Sequence, residues 1–490
     1  MEKVISSLKS SKSARWIALA CLVVPMFASY FFDDMFSTLS HIFKNPDLLQ
    51  LGWDSADYGF YAGGYSFLCV WGGLVICGML LDKWGVRFTG SLFVGMMVGG
   101  AAIVAYAISG GFAESSLNSY LVTHGIGKPS LILAYIGCML FGLGSEIAGV
   151  AVTRSIAKWF KGKEMAFAMG AQLAIARLGT ATAFLLSPVL VSEHTDGTQY
   201  LFNETNRPAL VGLAILILGI ILWSVFITMD SRFDKQNNST DKKETSEEDK
   251  FKFSDIFKIL TNKHYILISL LCVFFYCCII SFKKFATSIV IPRFDLDIDS
   301  ARWMISMIPF FTVVGTPLFG ILVDKIGKAT RWMVLGSCLV LMSHLIIAFA
   351  PEGSQFSGYL AIALLGIGYS LVPAAMWPSV PKIIPEKNLG TAYSLIYWIQ
   401  NMGMLLVPIF IGGVLEKYVV RPIKALADTQ GVQPQDLAAE ITKPYELTGA
   451  VRAEYIFILL GIIAVCVSLL LAASSRKNPQ LELDMPNKKQ

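Results

Sequence analysis

Apolar residues run along this chain in long blocks, and polar residues gather in the breaks between them. Twelve blocks stand out, at roughly 16–40, 58–81, 89–109, 130–156, 165–191, 208–229, 264–290, 302–323, 331–350, 358–380, 389–415 and 453–474. A helix rises 1.5 Å per residue, so about 20 residues cross the ~30 Å hydrocarbon core of a bilayer. Each block is read as one transmembrane helix. The most polar break, 230–263, contains Asp241-Lys-Lys-Glu-Thr-Ser-Glu-Glu-Asp-Lys250 and reads as a solvated linker. It divides the chain into a six-span unit (1–229), the linker (230–263) and a second six-span unit (264–490). The expectation is an all-α membrane protein of twelve helices in two pseudo-symmetric bundles. A second polar stretch, 416–452, is long for an interhelical loop, and Asp436–Glu440 has room for a short surface helix.

Composition agrees with the blocks. Of 490 residues, 54% are apolar and only 15% charged, and mean hydropathy is +0.59. Soluble domains carry about 25% charged residues, so disordered chains, coiled coils, secreted disulfide modules and most soluble enzymes are excluded. The nine cysteines (Cys21, Cys69, Cys77, Cys138, Cys272, Cys277, Cys278, Cys338, Cys466) all fall inside apolar blocks, without metal-ligand spacing. They read as small buried hydrophobes. A basic start (Lys3, Lys9, Lys12, Arg15) leads into the first block without a small-residue cleavage site, so that block is read as a retained span. Most of the 40 Lys and Arg fall on one side of the predicted topology, which places both termini and the linker in the cytoplasm.

The halves share a motif. Gly78-Met-Leu-Leu-Asp82-Lys83-Trp-Gly85-Val-Arg87 follows span two, and Gly320-Ile-Leu-Val-Asp324-Lys325-Ile-Gly327-Lys328 follows span eight. The first glycine of each copy allows close helix approach. The aspartate can pair with a basic residue or a helix N-terminus. The second glycine permits a tight turn. Two copies at matching places read as a clasp that holds one conformation and releases in another.

This doubled motif resembles the signature of the major facilitator superfamily, across nearly the whole chain. Three further stretches resemble its lysosomal dipeptide uniporter branch: Trp159-Phe-Lys-Gly-Lys-Glu164, Ala176-Arg177-Leu-Gly179, and Met376-Trp377-Pro378 with Pro385–Tyr393 and Ile399-Gln400-Asn401-Met-Gly403. The resemblance implies two bundles rocking around a central site. It implies that Glu146 and Arg177 hold the two ends of a dipeptide, that transport is uniport, and that the branch works with a glycosylated partner. This sequence leaves an accessory subunit open.

The residues support that site independently. Glu146 lies among Gly144, Ser145 and Gly149, and Arg177 among Ala174, Ala176 and Gly179, all within apolar blocks. Ionisable groups at membrane depth are costly and normally face a bundle interior or a wet cavity. Counted from the turn near Lys161-Gly162, each lies about 22 Å into the membrane. Two readings remain: an ion pair locking spans four and five, or a split clamp. In the clamp, the guanidinium fork takes a carboxylate and the carboxylate takes an ammonium.

Other membrane-embedded polar residues are secondary candidates. Asp33, near Asp34 at the end of span one, and His344 in span nine are candidate proton-coupling groups. Arg154 faces the headgroups. Lys283 and Lys284 in span seven either snorkel outward or add positive charge to the cavity. Tyr58, Tyr61 and Tyr65 share one face of span two, and Trp377 precedes the irregular Pro378, which makes it a candidate wall of the substrate site. Gln400 and Asn401 are further candidate wall residues. No catalytic or phosphate-binding motif is found, and no cofactor, metal site or nucleic-acid partner is expected.

Three functions are compatible with these features. The first is an alternating-access transporter for small zwitterions, above all dipeptides. The second is an organic-anion carrier using Arg177, Lys283 and Lys284. The third is a non-transporting receptor. Neither tail carries an acidic dileucine signal, and Asn203-Glu-Thr205 is the acceptor triplet in an outer loop. A bacterial cytoplasmic membrane is the expected location, with a lysosomal membrane as the alternative.

Overall fold

The computed structural model describes residues 11–160, 165–191, 198–237, 259–385, 389–481 and 483–485. Among them, twelve helices are long and apolar enough to cross a membrane. We label them α1 (Lys12–Lys44), α2 (Ser55–Cys77), α3 (Trp84–Ala107), α4 (Pro129–Ile156), α5 (Ala168–Leu190), α6 (Phe202–Lys235), α7 (Lys263–Phe294), α8 (Ile298–Ile326), α9 (Ala329–Phe349), α10 (Gln355–Lys382), α11 (Ala392–Gln430) and α12 (Ala439–Lys477). Short polar side chains start several of them. Ser11 caps α1, accepting from the Ala14 amide at 3.2 Å. Asp54 and Asp57 form a reciprocal capping box before α2, and Asn262 and Asp297 cap α7 and α8.

The helix pairings show the repeat. Within the first half α1 packs on α5 and α6, α4 on α2 and α3, and α3 on α6. Six positions later the second half makes the same pairs: α7 with α11 and α12, α10 with α8 and α9, and α9 with α12. Glycines mark equivalent crossings. A Cβ at Gly100 would sit 2.5 Å from the Gly137 carbonyl between α3 and α4, and one at Gly368 would sit 2.8 Å from the Gly336 carbonyl between α10 and α9. The bundles meet through two symmetry-related pairs, α2 with α11 and α5 with α8. We call the side bearing the turn between α2 and α3 the basic face, and the opposite side the far face.

Two features depart from the sequence reading. Helix α6 belongs to a helical segment that continues through Asp230 to Asn237, so the first bundle extends past residue 229. Residues 238–258 of the linker lie outside the described residues. The expected 416–452 loop is mostly helix instead. After a π-turn at Glu416–Val420, helix continues over Arg421–Gln430, and α12 begins at Ala439. At 39 residues each, α11 and α12 reach about 58 Å and overshoot the hydrocarbon core. The far-face end of α12 is tied down by Lys44–Glu446 at 3.2 Å and Lys443–Asp295 at 2.8 Å.

Helix α2 is broken once. Trp71 and Gly72 leave the helical region, Gly72 with φ of 92°. The Val70 carbonyl accepts a 2.6 Å hydrogen bond from the Trp398 indole on α11, across the bundle interface.

Neighbouring glycines on α3 provide a test of the packing. A Cβ at Gly99 meets nothing within 4 Å, whereas one at Gly100 would meet the Phe141 amide nitrogen at 2.4 Å. Gly100→Ala is expected to cost about 1–3 kcal/mol by overpacking, and Gly99→Ala to be neutral. Thermal unfolding of the two variants in detergent measures the difference.

Candidate functional site

Glu146 and Arg177 both lie inside the first bundle and both are half-buried. They do not form an ion pair with each other. Among the described residues, neither has a charged partner within 4 Å; their recorded polar and ring partners are tyrosines. Tyr65 on α2 donates from its hydroxyl to Glu146 Oε1 at 3.1 Å and stands 3.1 Å from Ser145 Oγ. Ser145 in turn bonds Ser29 on α1 at 2.5 Å. The Arg177 guanidinium donates to the Tyr369 hydroxyl on α10. It also stands over the Tyr369 ring at 4.5 Å and the Tyr30 ring at 5.6 Å. Arg177 therefore reaches across to the second bundle, and Glu146 is held by α2.

An aromatic wall continues from Tyr369. Its ring meets Tyr276 on α7 edge-on at 5.9 Å. The Tyr276 hydroxyl accepts from the Trp377 indole at 3.0 Å, and Trp377 stacks on Tyr397 of α11 at 5.2 Å. Trp377 thus joins Arg177 through two tyrosines. Asn401 donates to the Tyr397 carbonyl at 3.0 Å, and Gln400 accepts from the Cys272 thiol at 3.3 Å. Sequence reasoning named Trp377 and Tyr65 but not Tyr30, Tyr276, Tyr369 or Tyr397. Those four stand on four different helices, and no spacing within one helix signals them. Tyr58 and Tyr61 turn elsewhere: Tyr58 stacks on Phe43 at 4.7 Å and meets Phe285 edge-on, and Tyr61 packs on Trp53.

Lys283 and Lys284 neither snorkel outward nor charge the substrate site. Both are buried and paired with α1. Lys283 Nζ lies 2.8 Å from Asp34 Oδ2. Lys284 Nζ lies 2.8 Å from Asp33 Oδ1 and 3.4 Å from Asp34 Oδ1, and it also donates to the Asp33 carbonyl. Asp34 further accepts from Thr180 on α5 at 2.8 Å and Ser37 at 3.3 Å. The reason is geometric. Asp33 and Asp34 end the regular part of α1, level with the lysines on the facing α7, and adjacent charges of opposite sign cancel where water is scarce. This quartet joins the two bundles one helical turn toward the far face from Tyr30. Beside it, Ser40 bonds Thr287 at 2.8 Å and Ser288 at 3.1 Å.

His344 also has a partner the sequence reading missed. Its Nδ1 stands 2.8 Å from Glu454 Oε2 on α12, both side chains fully buried, and its ring stacks on Phe457. The pair lies inside the second bundle, away from the tyrosine wall. Arg154 is exposed.

In the repeated motif, Gly85 (φ of 76°) and Gly327 (φ of 69°) supply the turns, in a region that L side chains avoid. The side chains of Gly78, Asp82 and Lys83 lie outside those described. Among the described residues, a Cβ at Gly320 would meet nothing within 4 Å. Asp324 and Lys325 are exposed at the end of α8. Arg87 pairs with Asp234 at 2.8 Å and with Asp230 at 3.5 Å, and Lys158 pairs with the same two acids at 2.7 and 2.8 Å. The end of α6 thereby ties down α3 and α4 on the basic face.

Two pseudo-symmetric six-helix bundles around a polar, aromatic-walled centre define a membrane transporter. The Major Facilitator Superfamily model matches residues 25–408, and the chain belongs to that family. It is 27% identical over 409 residues to the lysosomal dipeptide transporter MFSD1 of Homo sapiens, covering 82% of this chain and 80% of that one. The Danio rerio protein of the same name is 28% identical over 401 residues, covering 80% and 78%. The Gallus gallus protein is 31% identical over 290 residues, a match spanning 58% of this chain and 62% of that one. Among solved structures, a bacterial homologue of the human lysosomal transporter Spinster, inward-facing and unoccupied, superposes with a TM-score of 0.69 at 14% identity, covering 95% and 98% of the two chains. A D-xylose–proton symporter gives 0.62 at 13% identity, covering 94% and 96%.

The quartet is testable by coupling. Lys283→Met leaves Asp34 short of its counter-ion, and removing one partner of a buried pair costs about 3–5 kcal/mol. The double variant Lys283→Met/Asp34→Leu is expected to recover at least half of that loss in thermal unfolding. Strict additivity of the single changes would contradict a direct pair.

Proposed function

We propose that this chain is an alternating-access carrier of small zwitterionic solutes, most of all dipeptides, with Glu146 taking the amino end and Arg177 the carboxyl end. One observation carries the reading. Two opposite charges face the centre of the molecule, and neither has a counter-ion among the described residues. An uncompensated charge in a low-dielectric site is expensive. A ligand bearing both counter-charges relieves both costs at once. Tyrosine hydroxyls hold the two groups in place and can yield to a charged ligand, because a charge-assisted bond is about twice as strong as a neutral one.

A dipeptide fits this arrangement because its two charges are separated and its side chains need no specific reader. Trp377 and its neighbouring tyrosines form an apolar wall for those side chains. The names of the MFSD1 relatives point the same way. The organic-anion alternative loses two of its three cations, since Lys283 and Lys284 are neutralised by Asp33 and Asp34. The Lys and Arg content of the basic face supports a cytoplasmic orientation for it, with the quartet closing the opposite side.

Uptake of a radiolabelled dipeptide into proteoliposomes tests the clamp. Glu146→Gln and Arg177→Ala are each expected to lower uptake at least tenfold, with melting temperature held within a few degrees. Wild-type uptake in both variants would refute it.

A further inference from the structure

Asp34 and Asp33 are adjacent but differently housed. Asp34 is enclosed by Lys283, Lys284, Thr180 and Ser37, with 1% of its side chain exposed. The Asp33 carboxylate accepts from Lys284 alone among the described residues and keeps 24% of its side chain exposed. Two small cavities touch both Asp33 and Lys284. The second is also lined by Tyr65, Ser66 and Ser281. Ser66 and Ser281 are buried, and their hydroxyls have no hydrogen-bond partner among the described residues. Orphaned buried hydroxyls around a water-sized space are the setting in which water completes the bonding. Tyr65, on the wall of the same cavity, donates to Glu146. A water in that cavity would put Asp33, Tyr65 and Glu146 in one series from the quartet to the clamp.

We propose that Asp33 is a proton-binding site in the transport path, and that its proton passes through Tyr65 to Glu146 whenever the far side closes. This rests on the clamp reading above. Opening the far side parts α1 from α7, hydrates Asp33 and allows it to take a proton. Closing requires the Asp33–Lys284 pair, which a neutral carboxyl does not form. Asp33 gives its proton to the cavity water, Tyr65 passes its own to Glu146, and the water restores Tyr65. Asp33 loses one proton, Glu146 gains one, and nothing else changes. A neutral Glu146 no longer holds an ammonium, so the peptide's amino end is released toward the basic face, and the proton follows.

Other groups around Asp33 complete the electrostatic setting. Helix α1 contributes Asp34 and Tyr30, α2 Tyr58, Tyr61 and Tyr65, α4 Cys138 and, behind Tyr65, Glu146, and α7 Lys283 and Lys284. Among the described residues, helix α11 lines the second cavity with Met404 and Pro408. Two lysines against two aspartates leave the cluster neutral, so one proton on Asp33 makes it cationic and pushes the bundles apart.

Proteoliposomes loaded with a pH-sensitive dye and given alanyl-alanine outside provide the test. The wild type is expected to acidify the lumen with peptide uptake. Asp33→Asn and Ser281→Val are expected to reduce that proton movement at least tenfold, while alanyl-alanine still raises each variant's melting temperature. Peptide uptake without proton movement in the wild type, or undiminished proton movement in both variants, would overturn the inference and leave the clamp standing. Absence of any alanyl-alanine shift in the wild type would remove the clamp and this inference together.

Discussion

The structure depends on how four charges are kept in a medium that tolerates none alone. Asp33, Asp34, Lys283 and Lys284 lie where α1 of one bundle meets α7 of the other. Separating any of them without water would cost several kcal/mol per ion. A buried ion pair adds little net stability over apolar packing, but it is close to all-or-none: either both members stay together or both are hydrated. That makes the far side a discrete joint. The Ser40 bonds to Thr287 and Ser288 and the Lys44–Glu446 pair gather around it, and the extended ends of α11 and α12 cover it.

With one side closed by paired charges, the unpaired ones acquire meaning. Glu146 and Arg177 are positioned by neutral groups, and Arg177 donates to Tyr369 of the second bundle. The centre is thus built from tyrosines that hold charges loosely, and the far side from lysines and aspartates that hold each other tightly. In the proposed clamp, a charged solute has the advantage over a tyrosine hydroxyl at the centre and has none over the ion pairs beyond it.

The sequence shows the architecture because membrane insertion writes it locally. Apolar block length sets the spans, Lys and Arg set the topology, and the doubled glycine–aspartate motif marks the repeat. Glu146 and Arg177 are equally legible, being charges inside apolar blocks. What one chain does not reveal is pairing across helices. Lys283 reads as an anomaly until Asp34, some 250 residues earlier, is brought beside it, and His344 reads as an isolated group until Glu454 faces it. Tyr276, Tyr369 and Tyr397 carry no local signal, because an aromatic residue in a transmembrane helix is ordinary packing unless something polar meets its hydroxyl. The polar 416–452 stretch misleads for the opposite reason: outside the bilayer, polarity does not distinguish a loop from a helix continued into water.

The break in α2 has a mechanical consequence. Before it, Gly59 lies against Gly412 with backbone touching backbone, a contact as stiff as any in the molecule. At the break itself, the Val70 carbonyl is held across the interface by the Trp398 indole. A continuous rod would transmit twist from one membrane surface to the other. Here torsion applied at one end is absorbed at Trp71 and Gly72, so the two leaflets' portions of the helix move as separate levers sharing one pivot.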